Sequence, residues 1–206
     1  INNKKILMIN FALLSALSVF YFTMFITPGP NNAMLTASGM KFGFKKTLPH
    51  LIGIPLGHIF QIGLTCLGLG TIFIKFPEIQ FYMKFLCFIY LIYLGWKMIG
   101  SFSLAENESG RPLRFYEASL FQFINPKAWS IALTVASGFF PAEENLLVGV
   151  MFVSFTAAVI CFPTIALWAL FGNSLRTFIK NEKTKKIIEY ILALLLVLTG
   201  IFILAK

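Results

Sequence analysis

The sequence contains no aspartate, and its eight acidic residues are glutamates that lie in or next to the segments connecting apolar blocks. Only 12% of the residues are charged, whereas soluble domains carry about 25%. The apolar blocks are about 20 residues long or longer and lack the polar stripe of a soluble amphipathic helix. A water-soluble globule is therefore excluded, and the blocks predict an all-α membrane protein.

Cysteine is also scarce, because Cys66, Cys87 and Cys161 stand alone inside apolar segments. This spacing excludes a disulfide framework and a Cys-x-x-Cys metal or redox motif. The sequence lacks Gly-x-Ser-x-Gly, His-Glu-x-x-His and paired aspartates, so neither an enzyme nor a bound cofactor is expected. An ion or metal permease remains an alternative, although its Cys, His and carboxylate ligands would have to come from scattered positions.

The net charge of +9 comes from lysines and arginines that lie between the apolar blocks, so it indicates membrane topology and no nucleic-acid partner. Eleven of the seventeen fall on one side of the predicted spans: Lys41, Lys45, Lys46, Lys97, Arg111, Arg114, Arg176, Lys180, Lys183, Lys185 and Lys186. Five fall on the other: Lys4, Lys5, Lys75, Lys84 and Lys206. The positive-inside rule places the first set in the cytoplasm and both termini outside it.

Six transmembrane helices are predicted in a single domain over residues 1–206. Residues 6–40 carry no charge, and as one helix they would measure about 52 Å against a hydrocarbon core of about 30 Å. We therefore expect a first span at about 12–38, broken near Pro28, with a surface extension before it. The other spans are expected at 48–74, 81–99, 118–140, 146–172 and 187–204, with a polar cytoplasmic loop at about 100–117.

Two halves of the chain share a short motif. Phe25-Ile26-Thr27-Pro28 in the first span matches Phe123-Ile124-Asn125-Pro126 in the fourth, 98 residues later. Two repeats of three spans, at about 6–99 and 118–206, would have opposite orientations, as in many secondary transporters with broken helices at the substrate site. A chance match in a chain rich in Phe and Ile is the alternative.

Each motif predicts a broken span. Proline lacks an N–H and clashes with the carbonyl four residues earlier, so Pro28, Pro30 and Pro126 free backbone carbonyls. Such groups are tolerated in a membrane only where they face protein or a wet cavity. Thr27 and Asn125 are expected to be N-caps, each followed by proline at the first helical position.

Two positive helix N-termini near the bilayer centre would attract a carboxylate. The predicted substrate-binding residues are Thr27, Pro28, Gly29, Pro30, Asn31, Asn32, Asn125, Pro126 and Lys127. Gly29 would permit close approach, and the two asparagines supply uncharged amides. Lys127 is expected to contact the carboxylate; alternatively it donates to the freed carbonyls or extends toward the membrane surface.

The second predicted span carries His50, Gly53, Gly57, Gln61 and Gly68 on one helical face. Gly53-x-x-x-Gly57 permits close packing, so this face should point into the bundle, and Pro55 should kink the helix. The candidates for a proton-linked step are His58, His50 and Glu117. A packed, neutral histidine is the alternative for each of the first two.

Several motifs together resemble the LysE/RhtB family of bacterial amino-acid exporters: Thr27-Pro-Gly-Pro-Asn-Asn32, the glycines 39, 43, 53 and 57, Tyr90 to Lys97, and Phe121 to Trp129. Pro-Gly-Pro-Asn-Asn and the tail 192–198 look most like the cysteine and O-acetylserine exporter branch. The resemblance covers nearly the whole chain and implies efflux across the inner membrane, driven by protons or by exchange.

The resemblance points to Pro28, Gly29, Pro30, Asn125, Pro126 and Lys127 as site residues. Asn31 stands where some members carry an acidic residue, which favours neutral cargo such as cysteine, O-acetylserine, threonine or homoserine. The expected partners are an amino-acid substrate and the lipid bilayer. Protons as coupling ion and a homodimer are left open, and a membrane scaffold without cargo would have no evident use for two broken helices.

Overall fold

The computed structural model describes residues 2–76, 78–99, 111–141, 145–178 and 181–205, and within these ranges the chain folds into helices without strands. Most of the predicted polar loop, at 100–110, lies outside the described residues. The helices are α1 (Asn2–Ile26), α2 (Pro30–Phe42), α3 (Phe44–Leu64), α4 (Gly70–Lys75), α5 (Glu78–Met98), α6 (Phe115–Ile124), α7 (Pro126–Gly138), α8 (Leu146–Phe178) and α9 (Glu182–Ala205). A π-helical segment, Thr65–Leu69, joins α3 to α4.

Three helical stretches among the described residues are long and apolar enough to cross a membrane: Phe44–Ile72, Leu146–Phe178 and Lys186–Ala205. The pair α1 and α2, bent by 56°, counts as a fourth if it is one broken span. The predicted third span appears as a shorter apolar helix, Phe81–Trp96, and the fourth is divided between α6 and α7. An all-α, multi-pass membrane protein is confirmed, while six spans in two repeats stay a prediction.

The first proline break interrupts the chain between α1 and α2. Gly29 precedes a proline, where helical backbone is disfavoured, and it is fully extended with φ 177° and ψ −179°. The new helix therefore begins at Pro30, with Gly29 as its N-cap. The predicted Thr27 cap is wrong: Thr27 ends the preceding turn, and its hydroxyl donates to the Met24 carbonyl at 2.9 Å.

The second break lies between α6 and α7, and here the predicted cap is confirmed. Asn125 is extended, with φ −83° and ψ 107°, and its Oδ1 accepts from the Lys127 backbone N–H at 3.1 Å. Pro126 takes the first helical position, where a missing N–H has no cost.

Glycines allow the helices to pack at backbone contact. A Cβ on Gly172 of α8 would lie 2.1 Å from the Thr36 carbonyl oxygen of α2. On α3, a Cβ on Gly53 would lie 2.3 Å from the Phe115 carbonyl oxygen of α6, and one on Gly57 would lie 2.5 Å from that of Ser119. Small residues serve this purpose in membrane bundles, where apolar packing replaces the hydrophobic effect. The predicted inward face of Gly53 and Gly57 is confirmed.

Gly68, further along the same span, departs from the expectation. The helix α3 continues through Pro49 and Pro55, so the kink at Pro55 stays a prediction, and an irregular segment follows at Thr65–Leu69. There Gly68 has φ +116°, which a residue with a Cβ rarely adopts, and no atom lies close to where its Cβ would be. Gly68 therefore supplies a bend and does not extend the packing face.

We expect Gly172→Ala to lower the stability of the protein, since even one methyl group meets the backbone of α2. Overpacking of this kind costs about 1–3 kcal/mol. Gly138→Ala is the matched control because its Cβ would enter open space. Thermal unfolding of both purified variants in the same detergent measures the difference, and equal melting temperatures would contradict the close α2–α8 packing.

Candidate functional site

Lys127 joins the two breaks. From the first turn of α7, its Nζ donates to the Thr27 carbonyl at 2.8 Å, the Thr27 hydroxyl at 2.8 Å and the Pro28 carbonyl at 3.2 Å. Three acceptors match the three protons of an ammonium group. Lys127 thus donates to freed carbonyls, which is one of the alternatives expected for it, and these carbonyls belong to the other break.

Gly29 leaves room for this lysine. A Cβ at position 29 would lie 2.9 Å from Lys127 Cδ and 3.2 Å from its Nζ. The close approach expected at Gly29 is therefore made by a lysine side chain from the other half of the chain.

Side chains also pair with the remaining freed carbonyls of the first break. The Asn32 amide donates to the carbonyls of Phe25 and Thr27, both at 2.8 Å. Trp168 of α8 donates its indole N–H to the Ile26 carbonyl at 3.2 Å. Asn32 is only 3% exposed, so it stabilises the break as well as lying beside the site.

The second break is satisfied in the same way. The Gln122 carbonyl receives no hydrogen bond from Pro126, because proline lacks an N–H. It accepts instead from the Gln61 amide at 3.0 Å. Trp129 donates its indole N–H to the Phe123 carbonyl at 2.8 Å. Gln61 of the predicted inward face thus has a defined role, which is to stabilise the break from α3.

A residue that sequence reasoning missed, Gln122, connects the breaks a second time. Asn31 donates to Gln122 Oε1 at 2.8 Å, and Gln122 Nε2 donates back to Asn31 Oδ1 at 3.2 Å. Gln122 Nε2 also donates to the Ala118 carbonyl at 2.8 Å, and the side chain is fully buried. Its position in the sequence, one helical turn before Asn125, could have indicated that it lies near the second break.

A pocket of about 280 Å³, including its open part, lies at the junction of the breaks. Its polar lining is Gly29, Asn31, Asn32, His58, Asn125 and Lys127. Its apolar lining is Met24, Phe25, Ala128, Ile131 and Ile165. None of these residues is acidic, and Lys127 is the cation among them. Thr27 reaches the pocket through Lys127, whereas Pro28, Pro30 and Pro126 shape the backbone around it.

The three coupling candidates occupy different environments. His58 lines the pocket with its ring 5.1 Å from that of Phe25, and its Nδ1 has no hydrogen-bond partner among the described residues. His50 is equally buried, and neither of its ring nitrogens has a partner in the described part of the chain. It does not line the pocket.

Glu117 lies at the start of α6, away from the pocket. Arg111 binds both of its carboxylate oxygens at 2.6 Å, and the Arg114 backbone N–H donates to one of them at 2.7 Å. The hydrogen bonds from the Arg111 guanidinium and the Arg114 N–H lower the pKa of Glu117 to about 2. Glu117 is therefore ionised throughout the physiological range.

Within the described ranges, no three His, Cys, Asp or Glu side chains lie close enough together to hold a metal ion.

Comparison with known proteins identifies the family. The family model described as LysE type translocator matches residues 22–206. A cysteine/O-acetylserine efflux protein of Salmonella typhimurium is 29% identical over 186 residues, which cover 90% of this chain and 94% of the relative. The protein of the same description from Escherichia coli K12 is 27% identical with the same coverage. No solved structure matches. The chain therefore belongs to the LysE type translocator family.

Proposed function

We propose that this protein is a secondary transporter that exports neutral amino acids or close derivatives, of the cysteine and O-acetylserine class, across the inner membrane. The observation that carries the proposal is Lys127, which lines the pocket while its ammonium rests on backbone and hydroxyl oxygens of the opposite break. Relatives described as cysteine/O-acetylserine efflux proteins support the substrate class.

The site suits a carboxylate. Neutral carbonyl and hydroxyl oxygens are the acceptors for Lys127, so a carboxylate could replace them and neutralise its charge. The N-terminus of α7 at Asn125 and that of α2 at Gly29 both face the same pocket. Their positive ends would add to the attraction.

The rest of the pocket suits a small, uncharged side chain. Met24, Ile131 and Ile165 form part of its apolar lining. None of the described residues that line the pocket is acidic, so a lysine or arginine side chain would find no countercharge among them.

The helix contacts support two inverted repeats of three spans. Under the 98-residue offset, α1 corresponds to α6, α2 to α7 and α3 to α8. The contact of α3 with α6 then has its counterpart in the contact of α8 with α1. The contact of α8 with α2 likewise has its counterpart in the contact of α3 with α7. In this arrangement the loops of α2–α3, α5–α6 and α8–α9 face the cytoplasm and both termini lie outside.

Coupling to protons or exchange of solutes would drive export. His58 is the foremost candidate for a proton-linked step because it lines the substrate pocket. His50 is the second, since it is buried in the same helix and its two ring nitrogens have no hydrogen-bond partner among the described residues. Glu117 would not change its protonation between about pH 5 and 8, because its pKa is about 2.

Lys127→Met should lower efflux about tenfold to hundredfold, which corresponds to losing one charge-assisted hydrogen bond to the substrate. The assay measures export of cysteine, O-acetylserine, threonine and homoserine from overproducing cells, with lysine and arginine as basic competitors. Lys45→Met, at an exposed lysine, is the matched control. A Lys127→Met protein that inserts normally and exports at the wild-type rate would refute the substrate role, and no efflux above a vector control would refute the proposed function.

Replacing the histidines tests proton coupling. We expect His58→Gln to flatten the pH dependence of export, because the histidine that lines the pocket is the foremost candidate for the proton-linked step. Glu117→Gln should leave that profile unchanged, because the wild-type carboxylate stays ionised above its lowered pKa and would take up a proton only below it. If the double variant His50→Gln/His58→Gln keeps the wild-type profile, the histidines are not the coupling groups.

A further inference from the structure

The two contacts between the breaks lie at different edges of the pocket. Lys127 holds Thr27 and Pro28 at an edge where both of these residues are exposed. The amide pair of Asn31 and Gln122 holds α2 to α6 at another edge, where Gln122 is fully buried. The edge at Thr27 and Pro28 is thus exposed, whereas the edge at Asn31 and Gln122, here termed the closed edge, is the more buried one.

An apolar layer continues the closed edge. Met34, one turn beyond Asn31 on α2, and Phe121, next to Gln122 on α6, are 5% and 4% exposed and belong to one buried cluster. Under the proposed topology this layer lies between the pocket and the cytoplasm, so a solute leaving the cell must pass it.

The amide pair joins two helices whose main neighbours are others. α2 packs chiefly against α8, and α6 packs chiefly against α3. Separating Asn31 from Gln122 therefore leaves those larger contacts intact. Gln122 also holds its own position through the Ala118 carbonyl, so it presents a fixed amide to Asn31.

We propose that the Asn31–Gln122 amide pair is the contact that closes the pocket between α2 and α6 and that separates once in each transport cycle. In this role Gln122 is a positioning residue, which also sets the orientation of the Asn31 amide at the pocket wall. Two reciprocal amide hydrogen bonds suit a reversible contact, because each is worth little net free energy while an unpaired buried amide is unfavourable. The inference rests on the proposed transport function.

Water access to Met34 tests the closure. In a protein whose three cysteines are replaced by alanine, Met34→Cys reports access when a hydrophilic thiol reagent is added to purified protein in detergent. We expect Gln122→Leu to raise the labelling rate about fivefold or more, as expected from losing one or two hydrogen bonds that hold the closed state. If the leucine variant does not fold, Gln122→Asn replaces it, because its side chain is one methylene shorter and draws the amide away from Asn31. The same rise in labelling is expected.

Tyr21→Phe is the matched control, because it removes another buried interhelical hydrogen bond, from Tyr21 to the Val153 carbonyl at 2.9 Å. It should lower thermal stability without raising Met34→Cys labelling. If Gln122→Leu and Gln122→Asn leave labelling unchanged, or if Tyr21→Phe raises it equally, the closure proposal is wrong. Labelling needs no substrate, so the two proposals can fail separately. Raised labelling without amino-acid efflux would overturn the proposed transport function and support the closing role of the amide pair. Efflux with unchanged labelling would support the transport function and overturn the closing role.

Discussion

The structure depends on satisfying the backbone carbonyls that two proline breaks release. In lipid, such a group without a partner costs several kcal/mol, since no water is available to replace the lost hydrogen bond. At the first break the partners are Asn32, Trp168 and Lys127. At the second they are Gln61 and Trp129. Asn32 and Trp129 belong to the broken spans themselves, Gln61 and Trp168 come from α3 and α8, and Lys127 connects the second break to the first.

The need to satisfy the freed carbonyls also brings polar side chains to the junction of the two breaks. A side chain that reaches a freed carbonyl has to come close to a helix end, and the helix ends carry partial charges. Lys127 meets this need from α7 and at the same time lines the pocket. One residue thus supports the structure of the break and, in the proposed function, is the cation for a substrate carboxylate. In that role, an anion bound by Lys127 would compete with the contacts to Thr27 and Pro28, which would link substrate binding to the conformation of the break.

Glycine permits two kinds of close approach, one between a side chain and the backbone and one between two backbones. At position 29 it leaves space for the lysine chain, and at positions 53, 57 and 172 it allows backbones to touch. The bend at Gly68 has a different cause, because there the backbone dihedral itself favours glycine. A pattern of glycines on one helical face did not distinguish these two uses.

Several features followed from the sequence because they depend on local covalent chemistry. Proline lacks a donor, so Pro30 and Pro126 fit the first position of a helix, where no donor is needed, and Asn125 caps because its side chain is short and accepts from the next turn. The cap at Thr27 was predicted wrongly because two prolines stand close together and the second one decides where the helix starts.

Tertiary structure decided which groups meet. Asn31 and Gln122 are 91 residues apart, and Trp168 is 142 residues from the carbonyl that it binds. Asn173 lies inside α8, which continues to Phe178, and its side chain accepts from the Phe44 N–H of α3 at 3.1 Å. Such pairings have no local signal, because they depend on how helices pack. The sequence alone thus determined the membrane environment and the two breaks, while packing determined the partner of each polar group, since a freed carbonyl accepts any donor that the fold brings within reach.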